Sequence, residues 1–225
     1  MKRLLVGSLV LCMVLGFGSF ALAQTGTVSV DQWFANHTLS DPGYDGKLEA
    51  SARLTGISGE VSITDKLGVA GSFVFGKSDD FKVGDITAPD VYGELSSVNL
   101  AVQYQIVPMV KARAGLLTGS YIIDKDDKFQ MTGITLGAAL DAVVGDGIGV
   151  FGEAVYAPIV NAKYDDQELK DSSMMAFEAG GTYSFGEFAV KGGYRYQGYT
   201  FKAESVDEKL SSTFSGLFLG VGFHF

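Results

Sequence analysis

Leu210–Phe225 reads LSSTFSGLFLGVGFHF and ends on an aromatic residue. Counting back in twos from the end gives Phe225, Phe223, Val221, Leu219 and Leu217. Between them stand His224, Gly222, Gly220, Phe218 and Gly216. A period of two is the signature of a β-strand whose side chains alternate between two faces. One face of this strand is bulky and apolar. It needs either a second protein layer or a lipid phase to cover it.

Working outward, the same alternation recurs through the chain. Its clearest form is Leu95 to Val107, where Val98, Leu100, Val102, Tyr104 and Ile106 share one face and Ser97, Asn99, Ala101, Gln103 and Gln105 the other. Strands are expected at 26–36, 47–64, 67–76, 95–107, 110–123, 129–144, 148–164, 172–185, 188–202 and 210–225. The first is the least regular, because Trp33 and Phe34 are adjacent apolar residues. In the second, Leu48, Ala50, Ala52 and Leu54 keep one parity and Ile57, Gly59, Val61 and Ile63 the other, so a bulge is expected near Thr55-Gly56. His37 to Gly46 and Lys77 to Gly93 read as loops. The connections near Asp65, Pro108, Asp146 and Gly186 are short, and those between them are longer and acidic. This is the pattern of an up-and-down transmembrane β-barrel with short turns at one rim and long loops at the other. The expected fold is all-β, with ten antiparallel strands, or eight if strands have been split. A water-soluble barrel around a ligand cavity is the competing architecture.

Met1 to Ala23 has the layout of a cleaved signal peptide. Lys2 and Arg3 come first, then an apolar run to Phe20, then Ala21-Leu22-Ala23. Cleavage would leave Gln24 to Phe225, and this remaining stretch is the expected barrel domain. It contains no cysteine, since Cys12 lies in the leader, so neither a disulfide framework nor a thiolate metal site is expected. With Lys2 and Arg3 removed, 15 basic residues face 26 acidic ones. That balance argues against nucleic acid as a partner.

The terminal strand resembles the C-terminal strand of bacterial outer-membrane β-barrels. It ends in Phe225, has Phe223 on the same face, and places Gly220 five residues before the end. The family pattern has a polar residue where Phe218 stands. The resemblance, to small barrels of the OmpA and OmpX type, implies location in the outer membrane and insertion by the barrel-assembly machinery. It also implies lipid and lipopolysaccharide as surroundings, and a monomer.

Inside such a barrel the expected charges are Glu49, Glu60, Asp141, Glu153 and Glu178 against Arg53, Lys111, Arg113, Lys191 and Arg195. Unpaired buried charges are strongly unfavourable, so these ten must pair or line a hydrated path. Catalytic sets are thin. Ten strands resemble the omptin proteases, but only His37 and His224 are present. His37 is expected on a loop and His224 at the barrel base. No cofactor or metal set is evident. The acids Asp79, Asp80, Asp85, Asp90, Asp124, Asp126, Asp127, Asp165, Asp166, Glu168, Asp171, Glu204, Asp207 and Glu208 mark the long loops. The leading expectation is a non-enzymatic structural or surface-interaction barrel acting through these loops. The alternative is a narrow porin-like channel through a charged lumen.

Overall fold

The computed structural model describes residues 25–40, 47–84, 86–123, 127–164, 167–202 and 209–225. The expected signal peptide and Gln24 therefore lie outside the described residues. Among the described residues there are twelve strands: β1 (Thr25–Ser40), β2 (Lys47–Ser62), β3 (Leu67–Ser78), β4 (Lys82–Val83), β5 (Ile86–Thr87), β6 (Gly93–Val107), β7 (Val110–Ile123), β8 (Asp127–Gly145), β9 (Ile148–Tyr164), β10 (Gln167–Phe185), β11 (Phe188–Lys202) and β12 (Lys209–His224). β4 and β5 have two residues each and form a small hairpin beside β2. The other ten make a closed antiparallel wall, because β1 pairs with both β2 and β12. Closure removes every free edge that an open sheet would expose.

The wall is an up-and-down meander in which sequence neighbours pair throughout. At one rim lie the four short turns and both ends of the described chain. There Gly26 N–H donates to the Phe225 carbonyl at 2.8 Å, and Phe225 N–H donates to the Gly26 carbonyl at 3.0 Å. The Phe225 ring lies over Gly26, where a Cβ would come within 2.4 Å of it. With a glycine here the terminal ring can rest where a side chain would otherwise stand.

Alternation sorts the side chains into two environments. Leu100, Val102, Tyr104, Leu116, Ile134, Leu136, Leu217, Leu219 and Val221 are exposed on the outer face. Among the described residues no helix is present to cover them, and an apolar outer band of this kind is the lipid-facing surface of a transmembrane barrel. The opposite parity points inward.

Three expectations are corrected. β1 is regular and runs four residues further at its C-terminal end than expected: Trp33 points into the lumen while Phe34 is exposed outside. Two adjacent apolar residues are compatible with a strand that has an apolar surface on both faces. β2 has no bulge, and its register against β1 runs unbroken from Thr25↔Ser62 to Ser40↔Lys47. The two apolar sets simply occupy opposite faces. Ala50, Ala52 and Leu54 are buried in the upper lumen, whereas Ile57 and Ile63 belong to the outer face lower down. Third, the loop expected at 77–93 contains the β4–β5 hairpin and sends Phe81, fully buried, into the barrel mouth against Leu39 and Ala50.

Candidate functional site: the lumen

In the short-turn half of the lumen, charged side chains form two groups, one around Arg195 and the other around Arg113. On one wall Arg195 of β11 makes a bidentate pair with Asp31 of β1, Nη1 to Oδ1 at 2.9 Å and Nη2 to Oδ2 at 3.2 Å. Its Nε donates to Glu178 of β10 at 2.7 Å. Lys191 lies 3.3 Å from Asp31. The Arg195 guanidinium also sits 4.6 Å from the Phe218 ring centre and 5.5 Å from that of Trp33, a favourable stacking for a delocalised cation. Phe218 therefore points inward from β12 as a platform for Arg195, and for Lys191 at 5.5 Å. That accounts for an aromatic where the insertion-signal pattern has a polar residue.

On the other wall Glu60 of β2 bridges two cations, Lys111 Nζ at 2.6 Å and Arg113 Nη2 at 3.1 Å, both on β7. Arg113 also reaches Glu153 of β9 at 2.6 Å and Gln103 of β6 at 3.2 Å. Lys111 reaches Asp141 of β8 at 3.3 Å. Every cation in the two groups has at least one carboxylate partner, which is the arrangement that offsets the desolvation of buried charge. Between the walls is a cavity of about 480 Å³, lined also by Ser29, Ser58, Asn99 and His224 and lying towards the short-turn rim.

Of the ten charges expected inside, eight are brought together: Glu60, Lys111, Arg113, Asp141, Glu153, Glu178, Lys191 and Arg195. Glu49 and Arg53 are not. They have the opposite parity to Glu60 on an unbroken β2 and are exposed on the outside. Asp31 was missed by sequence reasoning. Its side chain is the most deeply buried acid of the network, at 1% exposure. A signal did exist: Asp31 shares parity with Trp33 on β1 and is flanked across the sheet by Gly56 and Gly220. A Cβ on Gly56 would come within 2.5 Å of Asp31 Oδ1 and 2.9 Å of Arg195 Nη1, so the glycine holds space for the ion pair. The inner set thus holds five acids (Asp31, Glu60, Asp141, Glu153, Glu178) and four bases (Lys111, Arg113, Lys191, Arg195).

Above this network, towards the long loops, the lumen is filled. Trp33, Leu54, Leu95, Leu117, Tyr121, Met131, Tyr199, Phe201 and Phe214 are each at most 2% exposed and form one packed cluster. His37 belongs to this layer rather than to a loop. Its ring stacks on Phe214 with centroids 3.9 Å apart and contacts Phe81 at 4.8 Å. Its Nε2 hydrogen-bonds with Tyr121 Oη at 2.9 Å and Ser212 Oγ at 3.0 Å. Among the described residues Nδ1 has no partner, so none of their carboxylates orients the imidazole as a base next to a nucleophile would require. Ser212 is itself fully buried.

The chain matches no family model and no curated protein sequence. Among solved structures it is similar to Neisserial surface protein A, at 17% identity over 89% of this chain and 97% of that one, with a TM-score of 0.47. It is also similar to Ail, the attachment invasion locus protein of Yersinia pestis, at 15% identity over 89% and 99%, with a TM-score of 0.34. A third is the translocator domain of the autotransporter NalP from Neisseria meningitidis, at 10% identity over 100% and 96%, with a TM-score of 0.40. The barrel itself is read from the strand register and the apolar outer band. These are the architecture that the terminal strand's resemblance implies.

Among the loop acids, Asp85, Asp124, Asp126, Asp165, Asp166, Glu204, Asp207 and Glu208 lie outside the described residues. Asp127, Glu168 and Asp171 belong to β8 and β10 rather than to loops.

Proposed function

We propose that this chain is a non-enzymatic outer-membrane barrel whose lumen is a scaffold and whose work is done at the cell surface by its long loops. The observation that carries this reading is the layer formed by Trp33, Tyr121, Tyr199, Phe201 and Phe214, whose rings are at most 2% exposed and pack inside the long-loop half of the lumen. A conduit needs a continuous polar path, and a layer of packed aromatic side chains speaks against one. The Arg195–Asp31 and Arg113–Glu60 pairs below it engage the charges that would otherwise select a solute. A buried His37 without an orienting acid supports the absence of hydrolytic chemistry.

In this reading the chain is exported by cleavage after Ala23 and inserted through Gly220, Phe223 and Phe225. It acts as a monomer surrounded by lipid and lipopolysaccharide. N-terminal sequencing of protein extracted from outer membranes is expected to begin at Gln24.

Conductance of the refolded barrel in a planar bilayer tests the scaffold role. The expected result is silence from a folded, heat-modifiable barrel. Discrete steps whose ion selectivity changes on Arg113→Ala or Arg195→Ala would replace the scaffold reading with a channel.

A further inference from the structure

Arg53 is out of place on a lipid-facing wall, and so is its neighbour. It is the register partner of Lys77 on β3, and both side chains are exposed outside. Below them the same face carries Ile57, Phe73, Ile63 and Leu67. Ile63 to Arg53 spans ten residues. At about 3.3 Å per residue and a tilt of about 40°, the climb is about 25 Å, the height of the apolar band of such barrels. The two cations therefore stand where hydrocarbon gives way to lipid headgroups on the long-loop side.

Their pairing needs an explanation. Like charges directly opposite each other in an antiparallel pair repel. Neither Arg53 nor Lys77 takes part in the lumen ion pairs, whose cations are Lys111, Arg113, Lys191 and Arg195. Glu94, the register partner of Lys77 on β6, is exposed on the same face, so Lys77 stands between a like charge and an opposite one. Lys77 lies over the Tyr92 ring at 5.8 Å. Two adjacent cations at headgroup depth can offer their N–H donors to one anion. Phe34, the partner of Arg53 on β1, is exposed beside them and offers an apolar contact for an acyl chain.

We infer that Arg53 and Lys77 bind a phosphate group on a lipid of the outer leaflet. Arg53 offers paired N–H donors to two phosphate oxygens, and Lys77 adds a point charge. This inference rests on the outer-membrane reading above. It commits to a lipid rather than a free anion, because the site borders the apolar band.

The test uses the full mature barrel refolded into phosphatidylcholine bilayers that are plain, supplemented with bisphosphorylated lipid A, or supplemented with its dephosphorylated form. Lipid retained after detergent extraction is counted by native mass spectrometry. Retention of the phosphorylated form alone is expected, resistant to millimolar inorganic phosphate. With two charge-assisted contacts removed, Arg53→Gln/Lys77→Gln should retain about tenfold less. Lys77→Gln alone should fall between. Lys128→Gln/Lys163→Gln, on exposed positions of β8 and β9, should retain as much as the unaltered chain. Equal retention by the Arg53/Lys77 variant, or equal retention of the dephosphorylated lipid, would overturn the site while leaving the barrel intact. Failure of the unaltered chain to insert into any of the bilayers would overturn the membrane reading and the site with it.

Discussion

Trp33, Tyr121, Tyr199, Phe201 and Phe214 fill the long-loop half of the lumen at no more than 2% exposure, while the short-turn half keeps nine charged side chains around a cavity of about 480 Å³. The same ten strands build both halves, and the same alternation supplies both linings. The upper half is closed by packing and the lower half is held by pairing. Arg195 belongs to both, since it grips Asp31 and Glu178 below while stacking on Phe218 and Trp33 above. The two regimes therefore meet on β1, β11 and β12, the strands at the seam where the barrel closes.

Trp33→Ala should be the most damaging single change, destabilising the refolded barrel by about 4 kcal/mol through the cavity it leaves. The urea midpoint of unfolding from lipid vesicles measures it. A loss below ~1 kcal/mol would mean the aromatic layer is loose and the contrast between the halves is false. Conductance should still be absent in that variant, because Tyr121, Phe214 and Phe201 remain.

Arg195→Met follows. It keeps much of the volume but strands Asp31, whose carboxylate is 1% exposed. The expected loss is about 3 kcal/mol, at the low end for a broken buried pair, since Lys191 still faces Asp31 at 3.3 Å. Adding Asp31→Asn should lose less than the sum of the two single changes, because the residues share one interaction. Strict additivity in a double-mutant cycle would rule out the coupling described here.

Gly26→Val tests the seam apart from either half. Its side chain would collide with the Phe225 ring, so a loss of about 1–3 kcal/mol from overpacking is expected. Phe225→Ala in the same chain should relieve the clash. If Gly26→Val is harmless alone, the terminal ring does not lie over the seam.

Asp141→Asn should be the mildest. Its carboxylate is 56% exposed at the wet end, and exposed pairs contribute about 0–1 kcal/mol. A loss as large as that of Arg195→Met would show that the two walls of the network are equally buried.

Much of the wall could be read directly from residues. Leu95 to Val107 alternates cleanly because its inner residues are polar and its outer ones apolar, so parity and chemistry agree. β1 and the first half of β2 resisted for the converse reason. There the lumen is itself apolar, so Trp33, Ala50, Ala52 and Leu54 look like lipid-facing residues, while Glu49 and Arg53 look like lumen charges. Chemistry alone inverts the two faces, and only the continuous register between β1 and β2 decides them. His37 was misplaced in the same way: polar and near a Pro-Gly segment, it reads as loop, but four added strand residues place it under Phe81 in the dry layer.

The sequence by itself determined the ten-stranded wall, the short and long rims and the apolar outer band, because a period of two is a local property of backbone geometry. It also named eight of the nine charges in the lumen. Tertiary structure alone decided which charges meet, that Asp31 is the most deeply buried acid of the network, that an apolar cluster packs above it, and that Arg53 and Lys77 point outward. Those facts depend on register and on what fills the space across the barrel. Both join residues far apart in the chain, and no local pattern encodes them.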